Sequence, residues 1–572
     1  MRQGSARCGQ PRDREAVIHS PIREGDSRMK FWKRFLVLVL CAGLVLSAPS
    51  PVFGQAASPS RANPSPQRPK LVVVMVIDQF RADFLDRFRN RFGPGGFNRL
   101  MREGAYFSEC FYPYAITETG PGHATLATGT TPDRHGIASN DWYDFRHKKL
   151  VEAAEDNSTR IVGGIADRVG ASPRNLLGTT VAAELRLATD GKAKVYGVAL
   201  KDRAAMFSTG PGAPGAFWYE TTSGRFVSST YYYKNGLPPW ATAFNDRKPA
   251  DRYYGKNWTI GGRVALDMST QEGTPNRAFY SNIRSTPYGN ELVVEFAREI
   301  LEKEALGTDT ITDFLFVGLS SNDYVGHRWG PYSDEVADIT VKTDAQIAGL
   351  LSYLDQKIGK GKYWLVLSGD HGVAPTLAQS RSFGLDAKNL DLKSALTTIS
   401  TALISRWGPG DWFVPTAPGF FDRETLAKYK VTVEEAARAA GEAAMSIDGI
   451  LGYVTAESAV APASIVRAYR LSYFPGRTPD LFLVQEPFSL WNGDRGGTTH
   501  GTPYSYDTHV PLIFYGSVFR TGTYRENVST TDLAPTLAAA LGINVPSLAT
   551  GSVLTEALRV PQPAAATTMK RP

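Results

Sequence analysis

The sequence contains very little cysteine. Three cysteines occur in 572 residues, and Cys8 and Cys41 both lie within the first 54 positions. The rest of the chain has Cys110 alone and cannot form an internal disulfide, which excludes the small secreted domains that depend on disulfides for their stability. We interpret Cys110 as a small buried hydrophobic residue.

The sequence also lacks a hydrophobic run of the roughly 20 residues that a membrane-spanning helix needs. The apolar run from Phe35 to Leu46 is shorter; it follows basic residues after Met29 and precedes small residues from Val52 to Gly54. This order is typical of a cleaved secretory signal peptide. We therefore predict that Met29 is the true start, that residues 1–54 are a leader, and that the mature protein is periplasmic or secreted without a membrane span. Retention as an uncleaved anchor is the alternative.

A large excess of one charge is absent as well. The formal net charge is +7, but residues 1–54 hold nine Lys/Arg and four Asp/Glu, so the remainder carries only +2. No basic surface for nucleic acid is expected from this balance. With 42% hydrophobic and 21% charged residues, the composition is typical of a globular protein with a large core, and it excludes fibrous and disordered classes.

After the leader, the chain is predicted to form one large catalytic domain over residues 69–560. Residues 55–68 are rich in Pro, Ser and Ala and indicate a disordered linker, and residues 561–572 are predicted to be a flexible tail. Segments at about 145–305 and 376–490 interrupt the pattern of the domain. We interpret both as insertions that shape or cover a site.

Three apolar runs predict strands that are buried on both faces of a parallel sheet. The first follows Lys70 and ends at Asp78, TDFLFVGLSSND ends at Asp323, and KYWLVLSGDH ends at Asp370 and His371. A helical pattern separates the second and third runs, and HVPLIFYG predicts a further strand followed by a helix. The alternation indicates an α/β fold with a doubly wound, mainly parallel sheet sandwiched by helices. Ligands of such sheets bind beyond the carboxyl ends of the strands, where these acids are expected to lie.

Histidine is scarce, with eight in the chain, and three of them stand beside these acids. His327 follows Asp323 by four residues, a spacing that places both on one helix face; His371 adjoins Asp370, and His500 lies in GGTTHGTPYS. Each pair alone is commonly structural. Together with Asp78 they suit two divalent ions about 4 Å apart, and the Asp/His donor set favours zinc. We interpret the other histidines of the domain as structural: His123, His135, His147 and His509.

The segment AITETGPGHATLATG contains two threonines before a predicted helix start. Taken alone, the pattern indicates that Thr119 caps the helix, with Pro121 in the first turn. Beside a zinc site a second interpretation arises, because zinc lowers the pKa of a coordinated oxygen and a helix N-terminus attracts negative charge. Thr119, directly before Gly120, is then the candidate nucleophile, and Thr117 belongs to the incoming segment.

Read in order, the segments VIDQF, TETGPGHATLATG, HGIASNDWYD, LKDR, NDYVGH, SGDHG and TTHGT resemble the alkaline phosphatase superfamily. The resemblance is to its PafA-type branch of phosphate-monoester hydrolases, related to the type I phosphodiesterase/nucleotide pyrophosphatase family, and it covers most of the chain after residue 70. It implies two zinc ions per chain. One would be held by Asp323, His327 and His500, and the other by Asp78, Asp370, His371 and Thr119.

The resemblance also implies three residues that bind the phosphoryl oxygens, namely Asn140, Lys201 and Arg203. An ammonium and a guanidinium form charge-assisted hydrogen bonds with a monoester dianion, which offers more negative oxygen than a diester does. Without the family context, Lys201 and Arg203 would be interpreted as a solvated pair at the edge of an insertion.

The function that the resemblance implies is that of an exported zinc-dependent alkaline phosphatase acting on small-molecule phosphate monoesters through a phosphothreonine. The alternative within the superfamily is a phosphodiesterase or nucleotide pyrophosphatase. A sulfatase is disfavoured because no Cys/Ser-x-Pro-x-Arg segment occurs, and a membrane-embedded phosphotransferase because no series of hydrophobic spans occurs. An inactive zinc-dependent binding protein is a further alternative. The sequence predicts no oligomeric state, and a monomer is compatible with it.

Overall fold

The computed structural model describes residues 68–164, 168–493 and 496–559. The predicted leader with its start at Met29, nearly all of the predicted linker, and the predicted tail lie outside these described residues. Within the described ranges, no helix combines the length and the hydropathy that a membrane span requires.

A twelve-stranded sheet forms the centre of the part of the chain that is described. In chain order its strands are β1 Leu71–Ile77, β2 Ala105–Phe111, β3 Glu155–Val162, β4 Val169–Ala171, β5 Val195–Ala199, β6 Gly215–Glu220, β7 Arg225–Ser229, β8 Asp313–Leu319, β9 Tyr363–Gly369, β10 His509–Tyr515, β11 Gly522–Tyr524 and β12 Val528–Ser529. Across the sheet the order is β11-β2-β10-β9-β1-β8-β5-β6-β7-β3-β4, and β12 also pairs with β2.

The five central strands β9, β1, β8, β5 and β6 are parallel, whereas β10 and β7 pair antiparallel with their outer members. The predicted fold class, a mainly parallel doubly wound sheet, is therefore confirmed. Its helices are α1 Asp83–Arg87, α2 Phe97–Glu103, α3 Thr119–Thr128, α4 Pro132–His135, α5 Val181–Ala188, α6 Asp202–Thr209, α7 Pro239–Asp246, α8 Arg277–Ile283, α9 Pro287–Lys303, α10 Ser321–Trp329, α11 Asp334–Leu354, α12 Leu377–Ser382, α13 Leu392–Trp407, α14 Arg423–Tyr429, α15 Val433–Ala444, α16 Ala463–Ser472, α17 Ser505–Thr508 and α18 Leu533–Leu541.

Helices cover both faces of the sheet, and β1 shows why its sequence is apolar throughout. Its odd-numbered residues from Leu71 to Ile77 pack in one hydrophobic core with α9 and α11. Its even-numbered residues from Val72 to Val76 pack in a second core with α3, α6 and α18. Successive side chains of a strand point to opposite faces, so a strand between two helical layers needs hydrophobic residues at every position.

Polar residues that follow the central strands lie together at one edge of the sheet. Asp78 directly follows β1, Asp370 directly follows β9, and Lys201 follows β5. The run expected to end at Asp323 ends earlier: β8 stops at Leu319, and Asp323 lies in the first turn of α10. These residues therefore meet beyond the carboxyl ends of parallel strands, as the fold class predicts.

The two segments interpreted as insertions differ in how they relate to the sheet. The range 145–305 is an insertion only in part, because β5 and β6 within it extend the parallel sheet beside β8. The range 376–490 contains three small sheets and a hydrophobic core of its own. The strands of these sheets are Asn389–Leu390 with Leu490–Trp491, Phe413–Val414 with Ala417–Phe421, and Ile450–Thr455 with Ala459–Val460 and Leu481–Gln485. Two further hairpins pair Asp141–Asp144 with Lys149–Glu152 and Trp258–Ile260 with Arg263–Leu266.

Candidate active site

The candidate nucleophile Thr119 is the first residue of α3, and Glu118 occupies the N-cap position with extended backbone. The expectation that Thr119 caps the helix is therefore wrong, since its side chain makes no capping hydrogen bond. Instead, Thr119 Oγ1 accepts a hydrogen bond from Lys201 Nζ at 3.0 Å. Thr119 is buried.

Thr117 has a different environment, although it lies only two residues earlier. Its hydroxyl donates to the backbone carbonyl of Thr502 at 3.1 Å. Its own backbone carbonyl accepts from His500 Nδ1 at 2.7 Å. Thr117 thus contacts the candidate site through its main chain, and its hydroxyl is engaged away from the acids.

Asp323, His327 and His500 form the first group that could hold a metal ion. His327 Nε2 lies 3.1 Å and His500 Nε2 lies 3.7 Å from Asp323 Oδ1. One ligand atom from each of the three residues lies within 4.8 Å of the others. The four-residue spacing on α10 brings Asp323 and His327 together, and the loop after residue 496 supplies His500.

A second such group consists of Asp78, Asp323 and His371. His371 Nε2 is 3.5 Å from Asp78 Oδ1 and 3.6 Å from Asp370 Oδ2. The family resemblance implied that Asp370 belongs to this group and that Asp323 belongs only to the other. In the structure Asp323 belongs to both groups, because α10 places its carboxylate between them, and Asp370 flanks the second.

All three histidines of these groups present the same nitrogen to the acids. The Nδ1 atoms of His327, His371 and His500 lie 2.7–2.9 Å from the backbone carbonyls of Thr498, Gly372 and Thr117, respectively. A carbonyl oxygen only accepts, so each Nδ1 carries a proton and each Nε2 is turned toward the acids. This arrangement orients imidazole rings for metal coordination.

The donors of this site fit a divalent cation. Asp370 Oδ2 and His371 Nε2 are buried, yet neither makes a hydrogen bond within the described residues. Buried polar atoms without partners are rare, because their desolvation is not compensated. Carboxylate oxygens together with neutral imidazole nitrogens form a donor set that zinc prefers.

The pKa values of Asp370 and of the three histidines in these two groups are shifted by burial and by the charged side chains beside them. Burial and the neighbouring Asp78 raise the pKa of Asp370 well above its usual range. Burial also lowers the pKa of His371 to about 3 and that of His500 well below its usual value, so both imidazoles stay neutral, as a metal ligand must be. Against the effect of burial, Asp323 raises the pKa of His327 to about 9.

Lys201 lies closer to these acids than the sequence suggested. Besides Thr119, its Nζ contacts Asp78 Oδ2 at 2.8 Å and Asp323 Oδ2 at 2.6 Å. Burial opposes its positive charge, but Asp323 and Asp78 outweigh burial and raise the pKa of Lys201. The side chain therefore stays an ammonium group between the nucleophile and both ligand groups.

Arg203 and Asn140 complete the set of predicted phosphoryl-binding residues. The Arg203 guanidinium lies 3.9 Å from the Asp202 carboxylate, and within the described part of the chain Arg203 Nε makes no hydrogen bond. Asn140 Oδ1 accepts from the Gly120 N–H at 2.8 Å. That contact fixes the side-chain amide beside Thr119 and leaves its N–H donors for a ligand.

Two residues that sequence reasoning missed support this arrangement. Glu118 Oε2 accepts from Ser139 Oγ at 2.9 Å and from the Asn140 N–H at 2.7 Å. Burial raises the pKa of Glu118. Gln79 contacts both Asp370 and Asp323. The only sequence signal for either residue is its position directly beside a predicted site residue.

The remaining histidines have ordinary structural contacts. His135 Nε2 pairs with Thr125 Oγ1 at 3.0 Å, exposed His147 pairs with Asp144, and His509 Nε2 pairs with the Ser108 carbonyl at 2.7 Å. His123 lies nearest to the site. Its Nδ1 is 2.8 Å from the Thr119 carbonyl one helical turn back and 3.3 Å from Asp370 Oδ2.

Comparison with known proteins identifies the class to which this fold and site belong. The family model of type I phosphodiesterases/nucleotide pyrophosphatases matches residues 72–507, and the chain belongs to this family.

The relatives of this chain include proteins named alkaline phosphatases. The chain is 34% identical to alkaline phosphatase PafA of Elizabethkingia meningoseptica, over 86% of this chain and 95% of the relative. It is also 34% identical to alkaline phosphatase PhoV of Synechococcus elongatus, over 86% and 93%. The crystal structure of wild-type PafA matches with a TM-score of 0.79 and 33% identity, covering 86% of this chain and 99% of that one. The resemblance to the PafA-type branch is confirmed, and by this relationship the chain is an enzyme of the phosphoric monoester hydrolase class.

Proposed function

We propose that this protein is an exported, zinc-dependent alkaline phosphatase that releases inorganic phosphate from phosphate monoesters through a phosphothreonine at Thr119. The observation that carries the proposal is the position of Lys201. A single ammonium group contacts Thr119 Oγ1, Asp78 and Asp323, which joins the nucleophile to both ligand groups.

We assign two zinc ions to the ligand groups. One would be held by Asp323, His327 and His500, and the other by Asp78, Asp370, His371 and Thr119, with the Asp323 carboxylate adjacent to both. Zinc bound by these donors supplies Lewis-acid stabilisation of negative charge on oxygen. The shared carboxylate and the orphaned atoms of Asp370 and His371 support two neighbouring cations.

The reaction proceeds by two displacements at phosphorus. Thr119 Oγ gives up its proton and forms a bond to phosphorus while the bond to the ester oxygen breaks, and the leaving oxygen takes up a proton and departs as the alcohol. Water then attacks the phosphothreonine, which restores the Thr119 hydroxyl and releases phosphate. The Lys201 ammonium donates to Thr119 Oγ1. This hydrogen bond stabilises negative charge on that oxygen before Thr119 attacks phosphorus and again when the phosphoryl group leaves Thr119.

Lys201, Arg203 and Asn140 distinguish monoesters from diesters in this proposal. Arg203 Nε has no hydrogen-bond partner among the described residues, and the Gly120 N–H fixes the amide of Asn140 beside Thr119 through its oxygen. These groups offer charge-assisted and neutral hydrogen bonds to non-bridging phosphoryl oxygens. A diester has one fewer negative oxygen and gains less from them.

Export and domain boundaries are part of the same proposal. The basic, apolar and small-residue order from Met29 to Gly54 supports a cleaved signal peptide, followed by a linker to residue 68 and a domain from 69 to 560. Amino-terminal sequencing of the protein recovered from the periplasm or medium tests this. A mature end near residue 55 is expected, and a terminus that includes residues 30–50 would contradict cleavage.

Substrate preference tests the proposed activity. Hydrolysis of p-nitrophenyl phosphate is compared with that of bis(p-nitrophenyl) phosphate at alkaline pH, before chelation, after chelation and after zinc is returned. We expect strong monoester preference that chelation abolishes and zinc restores. Preference for the diester would favour the phosphodiesterase alternative that the family model names, and zinc binding without turnover of either ester would favour a binding protein.

A further inference from the structure

Gln79 follows Asp78 at the end of β1 and has an unusual backbone conformation. Its φ is 60°, in the left-handed region, and its side chain is almost fully buried. Residues other than glycine seldom adopt this conformation, and they keep it where the surrounding structure requires it.

Gln79 hydrogen-bonds to two carboxylates that come from different sides of β1. Its backbone N–H donates to Asp370 Oδ1 at 3.0 Å, and its side-chain Nε2 donates to Asp323 Oδ1 at 2.8 Å. Asp370 follows β9, and Asp323 lies in α10 after β8; these strands flank β1 on opposite sides. The backbone conformation sets the direction of the N–H, so the left-handed turn determines that one residue reaches both acids.

The second hydrogen bond acts on an atom that is central to the site. Asp323 Oδ1 is also the atom that lies 3.1 Å from His327 Nε2 and 3.7 Å from His500 Nε2. The other oxygen, Asp323 Oδ2, accepts from Lys201. Gln79 therefore restricts the rotation of the carboxylate that both candidate ligand groups share.

Close packing against α10 holds the Gln79 amide in this position. Gly326, in the helical turn between Asp323 and His327, lies so near that a Cβ built on it would overlap Gln79 Oε1. Oε1 itself is buried and makes no hydrogen bond within the described residues. The Gln79 amide thus packs tightly against the helical turn that carries Asp323 and His327. In this position its Oε1 is left as an unsatisfied hydrogen-bond acceptor.

We propose that Gln79 is a positioning residue that aligns Asp323 and Asp370 for metal binding, with Gly326 as the partner that makes room for it. The proposal rests on the proposed function in so far as the acids bind zinc. A residue with only a structural role would change the stability of the fold and leave metal affinity unaltered. Outer partners of metal ligands, in contrast, typically change metal affinity by about 10–100-fold when they are replaced.

The test measures Zn²⁺ affinity of the full chain by competition with a chelator of known affinity, together with melting of the metal-free protein. The variants are Gln79→Gly, Gly326→Ala and the two combined. Gln79→Gly removes atoms and tolerates φ of 60°, so it is expected to fold even if Gly326→Ala does not. Gly441→Ala is the matched control, because its Cβ would overlap the Tyr453 ring in a core remote from the acids.

We expect Gln79→Gly and Gly326→Ala each to weaken zinc binding at least about tenfold. The double variant should bind no more weakly than Gln79→Gly, since the overlap disappears with the side chain. Gly441→Ala should lower the melting temperature and keep wild-type zinc affinity. Wild-type zinc affinity in Gln79→Gly, or additive losses of affinity in the double variant, would overturn the positioning role of Gln79. Either result would leave the proposed function intact. Failure of the wild-type protein to bind zinc would overturn the proposed function and this inference together.

Discussion

Thr117 and Thr119 differ in what their hydroxyl groups contact, and this difference predicts opposite effects of the same substitution. Thr119→Ala removes the proposed nucleophile and should lower kcat/KM for p-nitrophenyl phosphate by at least about 1000-fold. Thr117→Ala should stay within about tenfold of wild type, because the contact to His500 uses the Thr117 carbonyl, which alanine retains. The measurement is the initial rate of p-nitrophenyl phosphate hydrolysis by each variant and by wild type at equal zinc content. Loss of turnover in Thr117→Ala with activity kept in Thr119→Ala would reverse the assignment.

Arg203 gives the cleaner test of monoester selectivity, because Lys201 also contacts Asp78 and Asp323. Arg203→Ala should lower kcat/KM for the monoester about 10–100-fold, the effect of losing a charge-assisted hydrogen bond of about 1.5–3 kcal/mol. Hydrolysis of the diester should fall much less. Parallel steady-state kinetics on both esters provide the measurement, and equal losses for both would refute a discriminating role for Arg203.

Glu118 is expected to act through Asn140, since its carboxylate holds the Asn140 N–H and the Ser139 hydroxyl. Glu118→Ala should therefore raise KM for the monoester as Asn140→Ala does, and the double variant should lose little more than either single variant. Glu118→Gln keeps an acceptor oxygen and should recover most of the loss. Additive effects of Glu118→Ala and Asn140→Ala would show that the two residues act independently.

At the residue scale, the sequence identified groups with distinctive chemistry but not the residues that orient them. The spacing of Asp323 and His327 predicts a shared helix face, and an aspartate directly after a buried strand predicts a position at the sheet edge. The roles of Glu118 and Gln79 depend on hydrogen bonds to residues 22, 244 and 291 positions away. No local pattern contains such contacts, because the fold of the whole chain creates them.

At the scale of elements, helix α16 of the second insertion supports the segment that leads to Thr119. Ser472 Oγ accepts from the N–H groups of Ala115 and Ile116, each at 3.0 Å. Ser472→Ala leaves the Ile116 N–H without this acceptor, which should cost about 1–3 kcal/mol of unfolding free energy and lower kcat more than it changes KM. Denaturant unfolding and kinetics test this. Ser446→Ala, at an exposed helix end, is the control; matching effects in both variants would argue against a link between α16 and the site.

The elements that the sequence predicted best are those buried on both faces of the sheet. β1 is a continuous apolar run, and β8 and β9 are apolar apart from Asp313 and Ser368. This pattern depends only on helices covering both sides of the sheet. The sequence does not distinguish β5 from the predicted insertion around it, because β5 is only five residues long and is followed closely by Lys201 and α6. Its place beside β8 is set by tertiary pairing with Phe314 to Gly318, which local sequence does not encode.

At the scale of the whole molecule, Asp507 should make stability depend on pH. Its Oδ2 accepts from the Thr502 N–H and hydroxyl, and Oδ1 has no hydrogen-bond partner among the residues that the structure describes. Burial raises the pKa of Asp507 to about 7. In the unfolded chain Asp507 releases its proton near pH 4, whereas in the folded protein it keeps the proton up to about pH 7. The contribution of protonated Asp507 to the free energy of unfolding is therefore complete below about pH 4 and is lost as pH rises through 7. A pKa difference of about 3 corresponds to at most about 4 kcal/mol.

Asp507→Asn removes this titration and keeps an acceptor for Thr502. The melting temperature of the variant relative to wild type should therefore increase between pH 5 and pH 8 in the metal-free protein. Calorimetry at both pH values measures it, with Asp190→Asn as the control, because the Asp190 side chain is 89% exposed. An equal difference at the two pH values would show that Asp507 is already ionised in the folded state at pH 5.

The stereochemical course at phosphorus tests the central claim, catalysis through Thr119, most directly. The substrate is a phosphate monoester whose phosphorus is chiral because its oxygens are different isotopes. The enzyme transfers the phosphoryl group of this substrate to an added alcohol, and the configuration at phosphorus in the product is determined. Each in-line displacement inverts phosphorus, so attack by Thr119 followed by attack of the acceptor predicts net retention of configuration. Net inversion would mean that the acceptor attacks the substrate directly, and it would contradict a phosphothreonine intermediate.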